Sequence, residues 1–241
     1  MRNIRIAGCV LGFGVGAAIL WAQAEPAADG VPLPQFVKHV VDSNFPAISA
    51  TAMDVDGDGV LDIVVAGGPS GGLSPHSMFV YWYHGRDWVR KPVCRLSDKS
   101  IILHVEAASF SFNSRASDRS RKPEGEVVVT DGELGNIWWY RYSRAKGAWT
   151  GQIIVNDVRY AHGTANGDID GDGWADVLVP TQHGTPKQGI IWAKNPGDPG
   201  KPWVKYPLAE KFDIGGWQHY VRLVDINGDG RPDALHGSDA Q

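Results

Sequence analysis

Apolar residues in this chain come in short runs, not in helical stripes. Three of the runs begin on an aspartate: Asp62-Ile-Val-Val65, Asp176-Val-Leu-Val179 and Asp233-Ala-Leu235. They are β-rich and too short for helices, so each reads as a strand. An aromatic run follows in the complete units: Met78-Phe-Val-Tyr-Trp-Tyr83, Asn136-Ile-Trp-Trp-Tyr140 and Gly189-Ile-Ile-Trp-Ala193. A further run then opens on Trp88, Trp149 or Trp203. With the strand that precedes each aspartate, the pattern predicts four short strands per unit.

The polar positions repeat as well. A nine-residue loop, Asp-x-Asp-Gly-Asp-Gly-x-x-Asp, occupies Asp54 to Asp62 and Asp168 to Asp176. It recurs at Asp225 to Asp233 with Asn227 at the third position. The last two copies stand 57 positions apart, and the first two stand 114 apart, or two periods. A fixed period of this size marks a propeller or an array. The missing copy is expected near residue 111, because Gly125-Glu-Val-Val-Val-Thr-Asp-Gly132 aligns with Leu61-Asp-Ile-Val-Val-Ala-Gly-Gly68. There the loop is longer and carries Arg115, Arg119, Arg121 and Lys122, which would repel a cation.

The expected fold is therefore all-β: a β-propeller of four-stranded antiparallel blades, about 57 residues each, incomplete in this chain. The blades are expected at about 47–93, 103–155, 161–208 and, in part, 217–241. Residues 35–42 resemble a fourth strand with no preceding three, and read as a strand that closes the ring. Closed propellers usually need about four to eight blades, so the ring is expected to be finished by further chain or by partners. Residues 25–241 expressed alone are expected to aggregate or assemble through the open blade edge.

Oxygen ligands at loop positions 1, 3, 5 and 9, with the backbone carbonyl of position 7, form a set for a hard cation of the calcium type. The expected ligands are Asp54, Asp56, Asp58, the Val60 carbonyl and Asp62. In the second copy they are Asp168, Asp170, Asp172, the Trp174 carbonyl and Asp176. In the third they are Asp225, Asn227, Asp229, the Arg231 carbonyl and Asp233. An EF-hand would need glutamate at position 12, where this chain has Val65, Val179 and His236. A metal-free turn is the bland alternative. Three sets of crowded carboxylates disfavour it, because they repel one another without a cation. Hard oxygen ligands alone are not expected to hold zinc or another transition metal.

The Asp loop, the Asp-[Ile/Val]-x-Val strand and the Trp-Tyr strand together resemble the FG-GAP or VCBS repeat family, over roughly residues 35–241. That family includes the calcium-binding propeller blades of integrin α-chains. The resemblance implies a propeller with about three calcium sites, none in the second unit. It says little about activity, because function lies in sites grafted on a fold.

Arg2 and Arg5 precede an apolar stretch from Ile6 to Trp21, and Ala22-Gln-Ala24 makes a small-residue cleavage site. Residues 1–24 thus read as a signal peptide and 25–34 as a linker, giving a secreted, periplasmic or extracellular protein with no membrane span in the mature chain. Cys9 lies in the leader, so Cys94 is the one mature cysteine. No intrachain disulfide is expected, and calcium takes the place of a staple. The formal charge of −4 excludes a basic nucleic-acid surface. The local run Arg115 to Lys122 reads as a solvated loop.

One constellation could carry chemistry. His162 and His219 each stand six residues before a loop aspartate; His104 is read as their counterpart in the second unit, and Ile48 in the first. With Glu106, these histidines would gather at one mouth of the channel, where an additional divalent metal or acid–base chemistry is conceivable. Trp217 and Tyr220 flank the same region as candidate sugar-stacking residues. The bland alternative is that repeated histidines merely bond neighbouring backbone. His162 with its loop and Trp192-Ala-Lys-Asn-Pro-Gly197 resembles the propeller of the aldos-2-ulose dehydratase family. The expected function is a secreted, calcium-stabilised binding scaffold for a glycan or protein partner. The alternative is a carbohydrate-active lyase or dehydratase with a histidine-lined channel site.

Overall fold

The computed structural model describes residues 36–68, 78–110, 125–184, 189–198, 200–210 and 218–238. The signal-peptide and linker readings at 1–34, the basic loop at Arg115 to Lys122 and Trp217 lie outside these residues. Every regular element described is a strand, and no described helix is long and apolar enough to cross a membrane.

The strands form up-and-down antiparallel sheets. The first blade contains β1 (Ala47–Met53), β2 (Asp62–Gly67), β3 (Phe79–Tyr83) and β4 (Arg90–Arg95). The second contains β5 (Ile102–Ala108), β6 (Glu126–Asp131), β7 (Asn136–Ser143) and β8 (Ala148–Val155). After the short β9 (Val158–Arg159), the third is built from β10 (Ala165–Gly167), β11 (Asp176–Thr181), β13 (Gly189–Lys194) and β14 (Val204–Glu210), with β12 (His183–Gly184) pairing β9. The pair β15 (Gln218–Val224) and β16 (Asp233–Ser238) begins a fourth. The protein is a β-propeller, with three four-stranded blades and two strands of another among the described residues.

The blades hold together through the faces of their second strands. Every residue of β2, β6 and β11 is buried. These strands are covered on both sides, which is why they read as continuous apolar runs and not as alternation. Successive side chains still point opposite ways. Val127 and Val129 pack with Val64, Val80 and Trp82 of the first blade. Val128 packs with Val177 and Val179 of the third. Leu178 joins Val221 of the fourth. Leu235 holds the register place of Leu178, yet it is 52% exposed against 0% for Leu178, since no described blade covers it.

Residues 36–46, which include all but the first residue of the segment read as a closing strand, contain no strand. Phe36, Val37 and Val40 are exposed, and Asp42 docks on the first blade. The Asp42 carboxylate accepts a hydrogen bond from the Tyr83 hydroxyl at 2.7 Å and pairs with Arg90 at 3.2 Å. Phe45 meets Tyr81 edge-on at 5.0 Å.

Cys94 is a free thiol on β4. Burial pushes it up to about 12, with the Tyr140 hydroxyl and the Val80 backbone pulling part of the way back. Thiolate is the reactive form, so iodoacetamide at pH 8 is expected to alkylate the native chain at least about tenfold more slowly than the urea-unfolded chain. Equal rates, followed by mass spectrometry, would show that the thiol is not sheltered.

Candidate metal loops and channel site

The three Asp loops join the first two strands of their blades and share one hydrogen-bond network. At position 1, Asp54 accepts the N–H groups of Gly57 (2.6 Å) and Gly59 (2.9 Å). Asp168 does the same with Gly171 (2.8 Å) and Gly173 (2.9 Å), and Asp225 with Gly228 (2.7 Å) and Gly230 (2.9 Å). To present those N–H groups to one carboxylate the chain turns back at positions 4 and 6, where φ is +74° and +86° for Gly57 and Gly59. Side chains other than glycine pay for that conformation.

Position 9 anchors the loop to the blade. Asp62 is fully buried and accepts Val55 N–H at 2.9 Å and Gly85 N–H at 2.6 Å. Asp176, also fully buried, accepts Ile169 N–H at 3.2 Å and Asn195 N–H at 2.8 Å. Asp233 accepts Ile226 N–H at 2.9 Å. Burial raises Asp62 and pushes Asp176 up to about 6, against the pull of these N–H groups. Two desolvated carboxylates beside other acids form an environment that a divalent cation relieves.

In the first and third units the carboxylates of positions 1, 3 and 9 converge. One oxygen each from Asp54, Asp56 and Asp62, or from Asp168, Asp170 and Asp176, lies within 4.8 Å of the others. The donor set is all oxygen and fits a hard cation. With Asn227 at position 3, the third loop gathers fewer charges, and it is not among the described groups of three such ligands.

Lysine, arginine and histidine side chains missed in the sequence reading sit at these loops. His84 and Lys194 each directly follow a register-equivalent residue, Tyr83 or Ala193. Lys194 Nζ bonds both Asp170 and Asp172, the latter at 2.7 Å. His84 Nε2 lies 3.5 Å from Asp56 and 3.6 Å from Asp58, and Arg86 bonds Asp58. The signal was available: a basic residue or histidine follows the aromatic strand in each complete unit, Arg141 included.

The second unit keeps the anchor without the acidic loop. Glu126 stands in register where Asp62 and Asp176 stand, and Phe110 N–H donates to its Oε2 at 2.5 Å. The register puts Ser109 at loop position 1, two residues before the place the period predicts.

That displacement changes the histidine alignment. His104 pairs with Thr130, Ser49 with Ala66 and Tyr220 with Gly237, which are equivalent places on the second strands. His104 is therefore the counterpart of Ser49 and Tyr220, not of Ile48 and His219. Bulges skip Ile48, Leu103 and His219 in their respective ladders, and a one-residue slip changes which way a side chain points. The expected ring of three equivalent imidazoles is thus corrected to a pair and a separate histidine. His162 and His219 meet edge to face at 4.6 Å. Tyr220 is exposed beside them, over Gly163, and stacks on no other described aromatic apart from the tilted His219 at 6.4 Å. His104 Nδ1 lies 3.2 Å from Ser49 Oγ, and its Nε2 lies 2.9 Å from Glu106. Among the described residues, no group of three candidate metal ligands includes His104, His162 or His219; the one histidine in such a group is His84, with Asp56 and Asp58.

Residues 125–179 match the family model of an FG-GAP-like repeat. The match runs from β6 to β8, through β10 and the second Asp loop, into β11. No curated protein matches the chain.

Proposed function

We propose, for a chain that carries an FG-GAP-like repeat and folds into propeller blades, an exported, calcium-stabilised binding scaffold that presents its loops and channel mouth to a glycan or protein partner. The convergence of three carboxylates in each of two loops carries this reading. Calcium would be held by Asp54, Asp56, Asp58 and Asp62, by Asp168, Asp170, Asp172 and Asp176, and less tightly by Asp225, Asn227, Asp229 and Asp233. It would supply charge neutralisation to the turns. Export, read from residues 1–24, suits such sites, since calcium modules outside cells work at dissociation constants of about 10⁻⁴–10⁻³ M. Exposed Tyr220 is the candidate stacking surface for a sugar ring.

Equilibrium dialysis with elemental analysis tests the metal reading. Two tight calcium ions per chain and a weaker third are expected, with magnesium binding more weakly. A chain that retains no calcium at 5 mM would overturn it. The partner reading is tested separately on a glycan array: Tyr220→Ala should lose any signal that calcium supports.

A further inference from the structure

We propose that Ser49, His104 and Glu106 form a nucleophile–base–acid relay across the boundary of the first two blades, giving the chain an ester-cleaving activity beyond its scaffold role. Glu106 Oε2 lies 2.9 Å from His104 Nε2, and His104 Nδ1 lies 3.2 Å from Ser49 Oγ. A carboxylate on Nε2 fixes the proton there and leaves Nδ1 as the acceptor. Val105 N–H donates to Ser49 Oγ at 3.1 Å, which leaves the hydroxyl proton directed at the imidazole or, at the longer 3.5 Å, the Val105 carbonyl. The side chains of His104 and Glu106 are 12% and 29% exposed, so the relay is sheltered but not sealed from solvent. β-Bulges lie immediately beside both Ser49 and His104, a device that re-aims side chains next to active sites.

A purely structural role accounts for only part of this. Two residues along, Ala107 N–H donates to Thr51 Oγ1 at 3.2 Å, the same clasp between the same strands with no imidazole. The clasp therefore needs a hydroxyl and nothing more. Nor is the relay a product of repetition, because the equivalent fourth-blade residue is Tyr220 and extending the β10 register gives Gly163 in the third.

The substrate class is a carboxylic ester. Ser49 Oγ adds to the carbonyl carbon as its proton passes to His104 Nδ1. The bond to the alcohol oxygen then breaks, and the alcohol leaves with that proton. Water attacks the acyl-Ser49 ester and gives a proton to His104. The carboxylic acid departs, and Ser49 Oγ regains its proton.

The test is a fluorophosphonate probe on the full chain, with the adduct mapped by peptide mass spectrometry and p-nitrophenyl acetate turnover followed in parallel. A Ser49 adduct is expected, absent in Ser49→Ala and formed about tenfold or more slowly in His104→Ala and Glu106→Gln. Thr51→Ala removes the neighbouring clasp and should label within about twofold of the parent, separating relay from packing. The wild-type adduct needs no variant to fold: no label on Ser49 overturns the proposal. So does His104→Ala labelling at the parent rate.

Discussion

Chelation with EDTA is expected to lower the melting temperature of this protein by about 10 °C or more relative to calcium-saturated protein. The expectation rests on the loops. Asp62 and Asp176 are fully buried and raised by desolvation, each within reach of two further carboxylates. Without a cation, neutralisation falls to Lys194 and Arg86. These are partly exposed side chains, and exposed pairs are worth only about 0–1 kcal/mol. A ligand present at about 100 times its dissociation constant stabilises by about 2.7 kcal/mol per site. Two sites give about 5 kcal/mol, and in a domain of this size each kcal/mol moves the midpoint by about 2–4 °C. Tryptophan fluorescence melts in calcium and in EDTA give the readout. Midpoints within about 2 °C of each other would sink the calcium reading. Lys194→Met is a useful companion: it removes the ammonium that competes for Asp170 and Asp172, so it should weaken the metal-free protein and tighten calcium in the same step.

The propeller was legible because its information is periodic. Each Asp loop joins two strands, and in the four-stranded blades the apolar run that follows is a buried central strand, so spacing and hydropathy point to the same unit. What stayed hidden depended on register and on neighbours. The period places the degenerate loop near residue 111, but the ladder puts Ser109 at that loop position, because the first unit runs about two residues short of the period. That offset alone misaligned His104 and concealed Ser49. The 35–42 segment resembles the fourth strands of the units, but that likeness cannot show which edge is free to accept it. His84 and Lys194 were visible as basic residues after an aromatic strand, and only the fold brings them over the loops.

The loop also links one blade to the next, which neither ligand count nor period conveys. Val55, at loop position 2, is fully buried in the cluster between the first two blades. Its carbonyl accepts Gly125 N–H at 3.1 Å. A β-carbon on Gly125 would stand 2.9 Å from the Val55 backbone, so the approach requires glycine. Ile169 makes the corresponding contact with the third cluster, and Ile226 in the third Asp loop is 64% exposed. A loop stiffened by metal therefore fixes a wedge between blades as well as a turn within one.

Asp62→Ala and Glu126→Ala are expected to separate the two roles of position 9. Both residues hold the N–H of the wedge residue, Val55 or Phe110, and both wedges are fully buried. Removing the acceptor strands a buried donor at about 1–3 kcal/mol each. Asp62→Ala strands two, Val55 N–H and Gly85 N–H, and also takes a ligand from the first loop. In calcium it should cost about 4–6 kcal/mol: about 1–3 for the buried Val55 donor, less for the half-buried Gly85 donor, and about 2.7 for lost metal linkage. Glu126→Ala should cost about 1–3 kcal/mol, the same in calcium and in EDTA. Asp62→Asn keeps an acceptor oxygen but loses the charge, so it should fall between them and retain most of its stability in EDTA. Urea midpoints with and without calcium, beside calcium stoichiometry, resolve the set. One fewer calcium is expected for Asp62→Ala and none lost for Glu126→Ala. If Glu126→Ala lost calcium, or if Asp62→Ala cost the same with and without it, position 9 would be an anchor of the turn and not a ligand.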